Sequence, residues 1–385
     1  MNTGDASFIR QLNRKIILEK IMQHKSISRA EIAKLTGLNK ATVSSQIADL
    51  LDEGLLVETH AEFSSGGRKP IFLSMNESAA YTVGIDIDVT CISIAATDLK
   101  GNIVTKEIYP IEDSSFPAVE EKLKTIILEM DKTLPTSRYG IIGIGVGVHG
   151  IVDNNQNIVY IPQHQWRNVD LKRALESSFQ APVFIANNSN LCAVAEQVFS
   201  NESTDLVCIT TYSGIGMGII VQRQLFQGFE GFSGEVGHMI IEPDGRTCTC
   251  GNKGCWEQYA SEKVLLQAIR DRIGRTNCSD EEVHQFMESG IEELEEIIKD
   301  YTNHLAIGVN NIINILNPET VIINCEFFSN HPAILNKVKD NLTSSMNHRK
   351  ELKLSSLGKN ACMLGASATV IKEFLKMDHI DLSNE

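Results

Sequence analysis

Three cysteines fall within eight residues, Cys248-Thr-Cys250-Gly-Asn-Lys-Gly-Cys255, and His238 stands ten positions ahead of the first. Three thiolates and one imidazole at this spacing can close a tetrahedron around zinc. Four protein donors leave no open position, so such a zinc is expected to be structural rather than hydrolytic. The competing reading is a loop of reduced, unligated cysteines. The other six cysteines (Cys91, Cys192, Cys208, Cys278, Cys325, Cys362) are scattered, mostly through apolar stretches, and read as core residues. Nine cysteines in a long chain without a leader argue against a disulfide framework.

The formal net charge is −14, which taken as a sum speaks against a nucleic-acid partner, because phosphate contacts need Lys and Arg. The charge is unevenly placed, however. Residues 1–48 hold eight basic side chains against three acidic ones, whereas residues 79–385 hold 25 against 40. This asymmetry predicts two parts with different partners. No apolar run reaches the roughly 18 residues of a membrane span, and the first residues lack the apolar stretch of a signal peptide. A cytoplasmic protein is the expectation. With 42% hydrophobic and 22% charged residues, the composition is that of an ordinary globular chain.

The basic head reads as three helices and a hairpin. Phe8 to Met22 carries Ile9, Leu12, Ile16, Ile17 and Ile21 at close to helical period. Ser28-Arg-Ala-Glu31 is a capping box opening a short helix, and Gly37 suits the left-handed turn that ends it. Asn39 can cap a third helix, Lys40 to Asp52, with Val43, Ile47, Leu50 and Leu51 inward. Lys40, Thr42, Ser44, Ser45 and Gln46 are then expected to face outward, where small polar side chains suit groove edges and phosphates. This is helix-turn-helix spacing. Gly54 ends the third helix, and strands Leu55–Thr59 and Ile71–Met75 would form a wing. The turn between them, Ser64-Ser-Gly-Gly-Arg68-Lys69-Pro70, could alone be a flexible linker with two solvated cations. Behind a helix-turn-helix it reads as DNA contact, with paired glycines allowing close backbone approach.

From Tyr81 onward strands and helices alternate, so the body is α/β. Strands are expected at Val83–Ile87, Cys91–Ala95, Ile103–Tyr109 and Ile141–Val148, with a helix at Val119–Met130. A second strand-turn-strand unit spans Leu206–Val221 and loosely echoes the first, suggesting a duplicated core. Its segment Thr211–Gly218 carries Gly214, Gly216 and Gly218, which could cradle a phosphate or simply form a tight turn. Helices are expected at Ser261–Arg272, Glu292–Leu316 and Pro332–Ser345, and a strand at Thr320–Asn324.

Glu235-Val-Gly-His238 followed by Cys248-Thr-Cys-Gly-Asn-Lys-Gly-Cys-Trp-Glu257 resembles the signature of the ROK family (repressors, open reading frames and sugar kinases). The winged module ahead of it resembles the repressor branch. Gly231-Phe-Ser-Gly-Glu-Val-Gly-His-Met239 and Asn310-Asn-Ile-Ile-Asn-Ile-Leu-Asn-Pro318 look most like the xylose repressors of Gram-positive bacteria. The resemblance covers essentially the whole chain. It implies an actin-like (ribonuclease H-like) two-lobed body, with residues 1–78 as the DNA-binding domain, 79–190 with 366–385 as the first lobe and 191–365 as the second. A sugar inducer, with D-xylose the leading candidate, would sit in the cleft and meet Glu235, His238 and Glu257. The family's Asn-Asp-Ala-Asn segment corresponds to Asn187-Asn188-Ser189-Asn190.

That segment departs from the kinases of the family, which use the Asp as general base. Asn188 has an amide, which cannot take the sugar proton. The kinases' Asp-x-Gly-Gly-Thr phosphate loop is here Asp86-Ile-Asp88-Val89-Thr90, with a charge and a branched side chain in place of both glycines. Phosphoryl transfer depends on positioning and charge neutralisation around the phosphates, so no enzyme activity is expected. The family's Gly-x-Pro-Gly sugar loop is here Gly147-Val-His149-Gly150. The resulting expectation is a homodimeric repressor that binds a pseudo-palindromic double-stranded operator and is released by a sugar. Glu292–Leu316 is the candidate dimer helix. The alternatives are a repressor of this family for another sugar, control by a protein partner, which the family also allows, and, disfavoured by Asn188, a sugar kinase with a DNA-binding appendage.

Overall fold

The structure, a computed structural model, describes residues 6–24, 26–60, 71–200, 203–275, 278–288, 294–346 and 351–383. The chain divides into two units: Met1–Ala186 with Met363–Glu385, and Asn187–Cys362. The first unit opens with α1 (Ala6–Gln23), α2 (Arg29–Thr36) and α3 (Lys40–Asp52), then β1 (Leu56–His60) and β2 (Ile71–Met75). The local signals act as expected. Ser28 and Glu31 form a reciprocal capping box, and Gly37 closes α2 at φ 71°. Asn39 Oδ1 accepts the Thr42 amide at 2.8 Å and starts α3. Ile17, Leu18, Ile21, Ile32, Val43, Ile47, Leu50 and Leu73 are fully buried and form the module's core. Ile27 exchanges backbone hydrogen bonds with Leu73, so the α1–α2 connection adds a third rung to the hairpin. The first two turns of α1 depart from the expectation: Ile9 and Leu12 are exposed, and burial begins only further along the helix.

The body of this unit continues with β3 (Tyr81–Ile87), β4 (Cys91–Thr97), β5 (Ile103–Pro110), α4 (Phe116–Thr133) and β6 (Ile141–Val148). A small sheet, β7 (Ile151–Val152), β8 (Ile158–Ile161) and β9 (Trp166–Val169), precedes α5 (Leu171–Glu176) and β10 (Val183–Asn187). The main sheet runs β10-β6-β3-β4-β5, with β3, β4 and β5 antiparallel and β3 parallel to β6. The second unit holds α6 (Asn188–Phe199), β11 (Leu206–Thr211), β12 (Ile215–Val221), β13 (Gln224–Leu225), α7 (Glu257–Ala260), α8 (Glu262–Ile273) and α9 (Asp280–Glu288). It continues with α10 (Leu294–Leu316), β14 (Thr320–Asn324), α11 (Glu326–Asn330), α12 (Ile334–Asn341) and β15 (Glu351–Leu354). Then α13 (Ala361–Leu375) returns the chain to the first unit. The second sheet runs β13-β12-β11-β14-β15. Read from the opposite edge, the first sheet has the same order: a three-stranded antiparallel meander, then a parallel strand reached by a helical crossover. The weak echo in the sequence is therefore a repeated topology.

Two of the three glycines expected in a turn lie inside β12 instead. A Cβ on Gly216 would stand 2.2 Å from Ser189 Oγ, and one on Gly218 would stand 2.4 Å from the Ser189 carbonyl. They are there so that α6 can lie directly on the strand. The turn is only residues 212–214. The helix expected at Pro332–Ser345 is shorter, at Ile334–Asn341.

Candidate functional site

The cluster that opened the sequence is assembled in the second unit. His238 closes a short turn, Val236–His238. Cys248 and Cys250 lie on a loop folded back by two backbone bonds, Cys248 N to Asn252 O at 2.9 Å and Gly251 N to Cys248 O at 3.1 Å. Cys255 is brought alongside by Trp256, whose amide donates to Met239 O at 2.8 Å. One ligand atom from each of His238, Cys248, Cys250 and Cys255 lies within 4.8 Å of all the others. Cys250 Sγ is 3.6 Å from Cys255 Sγ, and Cys248 Sγ is 3.6 Å from His238 Nδ1. A tetrahedron with metal–sulfur and metal–nitrogen bonds of about 2.3 and 2.0 Å has edges of about 3.8 and 3.5 Å. The donor set therefore fits a metal ion, with Nδ1 as the imidazole ligand. Burial pushes the Cys248 thiol up to about 12 and raises Cys255. For Cys250 burial is outweighed by the Asn252 amide and the neighbouring thiols, which hold it low. A bound metal would displace the remaining protons.

The loop is tied to α10 through Trp256. Its indole N–H donates to His304 O at 2.9 Å. Its ring is fully buried against Gly308, where an added Cβ would stand 2.0 Å from the indole. The roles of His304 and Gly308 in holding the loop carry no signal in the sequence. Beside the cluster, Glu257 Oε1 accepts the Cys248 thiol at 3.1 Å and lies 3.7 Å from His238 Nδ1. Gly214 faces the other oxygen of Glu257, at 2.9 Å from where its Cβ would be. Glu235 is exposed at the start of the His238 turn, which begins with His238 N donating to Glu235 O. Asn187 and Asn188 sit at the start of α6. Asn187 Oδ1 is spent on capping the Ser189 and Asn190 amides, and Asn188 is buried.

In the first unit, Asp86 and Asp88 flank His149, with Nε2 3.1 Å from Asp86 Oδ1 and Nδ1 3.8 Å from Asp88 Oδ1. Asp88 Oδ1 also accepts the Val89 amide at 2.6 Å. Burial pulls His149 down, but the two carboxylates outweigh it and raise its pKa above the usual imidazole value.

On the DNA side, Lys40, Ser44 and Ser45 are exposed at the start of α3, and Thr42 is half-buried. Gln46 is not outward: it is 5% exposed. Helical geometry places it three residues from Val43 and four from Leu50, on the inner stripe. It lines a groove of about 380 Å³ between the first turns of α1 and α3, with Ile9, Arg10, Asn13, Thr42 and Ser45. Arg10 and Asn13, three residues apart on α1, thus border the recognition helix, and only their helical spacing hinted at this. Arg68 and Lys69 lie outside the described residues.

Comparison with known proteins agrees with this architecture. The model of the ROK family matches residues 82–373. The chain belongs to the ROK family. A winged helix-turn-helix DNA-binding model matches residues 11–57, so this ROK chain carries a DNA-binding module. The xylose repressor of Bacillus spizizenii is 38% identical over 97% of this chain and 99% of its own length. A crystal structure of a ROK family transcriptional regulator, a homologue of the E. coli MLC protein, superimposes with a TM-score of 0.79. It is 26% identical and covers 95% of this chain and 96% of its own. A ROK family glucokinase from Streptomyces griseus, 22% identical, shares the fold of the body with a TM-score of 0.68, over 75% of this chain and 98% of its own. Among the described residues no helix is long and apolar enough to cross a membrane.

Proposed function

We propose that this chain is a sugar-responsive transcriptional repressor, cytoplasmic and homodimeric, which binds a pseudo-palindromic operator and is released by a small sugar. D-xylose is the first candidate, and xylose-utilisation genes are the target. The observation that carries the reading is the joining of two things in one chain. One is a capped recognition helix presenting Lys40, Ser44 and Ser45. The other is a pair of carboxylates, Glu235 and Glu257, beside the His238–cysteine cluster. The full-length likeness to a xylose repressor supports the choice of sugar.

Lys40, Thr42, Ser44 and Ser45 would meet base edges and phosphates, with the wing cations Arg68 and Lys69 adding phosphate contacts. Glu235, His238 Nε2 and Glu257 would take sugar hydroxyls, with Asn187 and Asn188 presented by the start of α6. Zinc would be held by His238, Cys248, Cys250 and Cys255 and would fix the loop that carries Glu257. Its chemistry here is structural, because four protein ligands close the coordination shell. Sugar and operator must weaken each other by the same factor, since coupling between sites is reciprocal. Kinase activity is not part of the proposal. The Asn188 amide has no carboxylate to act as base, and Asp86 is already engaged by His149.

Titration calorimetry with D-xylose, glucose and N-acetylglucosamine, paired with gel shifts on the operator, tests this. One sugar should bind, weaken the operator complex and lose affinity in Glu257→Ala. Operator release by a protein from sugar-fed extracts, with no sugar binding, would favour control by a protein partner instead.

A further inference from the structure

The end of the recognition helix is held from two sides. Glu53, which follows α3, takes Arg14 of α1 on both carboxylate oxygens, at 2.7 and 2.5 Å. The Glu53 backbone carbonyl, left free by the helix end, accepts the hydroxyl of Tyr139 at 2.9 Å. Tyr139 lies far along the chain, in the turn that leads into β6. Its ring packs edge-on against Phe374 near the end of α13, with centroids 5.3 Å apart and planes at 72°. Its neighbour Arg138 lies against Gly54, where an added Cβ would be 3.1 Å from Arg138 Cδ. A second tie, Lys15 Nζ to Asp378 at 3.1 Å, joins α1 to the segment after α13.

A winged module on a bare linker would need none of these contacts. An orphan carbonyl at a helix end is normally satisfied by water or a local cap, yet here the body supplies the donor. Tyr139 touches the end of α3 and the end of α13 at once, and stands two residues ahead of β6. β6 runs straight to His149, and α13 begins where the chain leaves the second unit.

We propose that Tyr139 is the positioning residue that sets the angle of the recognition helix against the body, and that it passes a shift of β6 or α13 to the DNA-binding surface. Tyr139 contacts no DNA in this role. It decides whether two recognition helices are held at the spacing of two half-sites. The inference rests on the sugar-responsive repressor reading above.

The test uses the full-length, metal-loaded protein and two variants, Tyr139→Phe and Tyr139→Ala. Tyr139→Phe removes the hydroxyl but keeps the ring on Phe374. Three quantities are measured: affinity for a two-half-site operator, affinity for a single-half-site duplex, and D-xylose affinity by calorimetry. Loss of one hydrogen bond of about 1 kcal/mol corresponds to roughly five-fold. Tyr139→Phe should therefore weaken the two-half-site complex about five-fold per subunit and leave half-site and sugar affinities unchanged. Sugar should also weaken its operator complex by a smaller factor than in the wild type. Tyr139→Ala should enlarge both effects. A merely structural role would lower half-site and full-operator binding together. Equal full-operator affinity and an equal sugar response in Tyr139→Phe and wild type would overturn the proposal. If the wild type binds operator but no sugar, the sugar reading fails, and the ratio of full-operator to half-site affinity alone decides the role of Tyr139.

Discussion

His149 between Asp86 and Asp88 makes the charge state of one side chain part of the fold of the first unit. Its pKa is raised in the folded chain, so its contribution to stability is fully present below the ordinary imidazole value near 6.5. That contribution is lost as pH rises through the raised folded value. Thermal melts from pH 6 to 9 should show wild type losing its advantage over His149→Asn as the solution becomes more alkaline; parallel curves would exclude the linkage. The sequence marks His149 as a departure from the family's sugar loop but not its partners. They become visible only once β3 and β6 pair in parallel, with Asp86 opposite Gly147. The metal cluster is the opposite case, because three of its donors are close in sequence. If the cluster holds zinc as proposed, Cys250→Ser should bring the zinc content measured by elemental analysis from about one per chain to well below one and lower the melting temperature. A full complement of zinc would remove Cys250 from the ligand set.

Elements are legible where cap, period or a bounded apolar run marks them, whether or not they keep a polar face. α3 and β6 match their expected bounds because cap, period and apolar run all agree. α6 and α13 carry no such signal in the sequence. Most of their residues are buried, many are small, and their start sites carry no Ser-x-x-Glu box, so no amphipathic stripe announces them. The same tight packing explains why Gly216 and Gly218 read as a turn in the sequence although they lie inside β12. Gly216→Ala should therefore destabilise the second unit by about 1–3 kcal/mol, the usual cost of overpacking, as read by urea denaturation. At the other end of the chain, Asn39→Ala removes the cap of α3 and should cost about 1 kcal/mol. Because that cap orders the residues that face the groove, operator affinity should fall with it while sugar affinity stays constant. A variant that melts earlier yet binds operator as tightly as wild type would show that the start of α3 is ordered by the DNA itself.

Across the whole molecule the net charge of −14 hides a basic head. If Lys40, Arg68 and Lys69 of both subunits each meet a phosphate, about six counterions are released, and log K should fall against log salt with a slope near −5. Between 50 and 200 mM salt this is a loss of roughly a thousand-fold. Residues 79–385 hold 25 basic side chains against 40 acidic ones. Their negative field should keep binding to random DNA weak, which favours a repressor that must leave its operator cleanly. Lys40→Ala in both subunits should make the slope shallower by about two, with sugar affinity unaltered. Fluorescence anisotropy on the operator across that salt range measures it. A wild-type slope shallower than about −2, or a slope that Lys40→Ala leaves unchanged, would mean that the start of α3 does not meet the phosphates. The groove bordered by Arg10 and Asn13 would then be the next surface to test by the same titration.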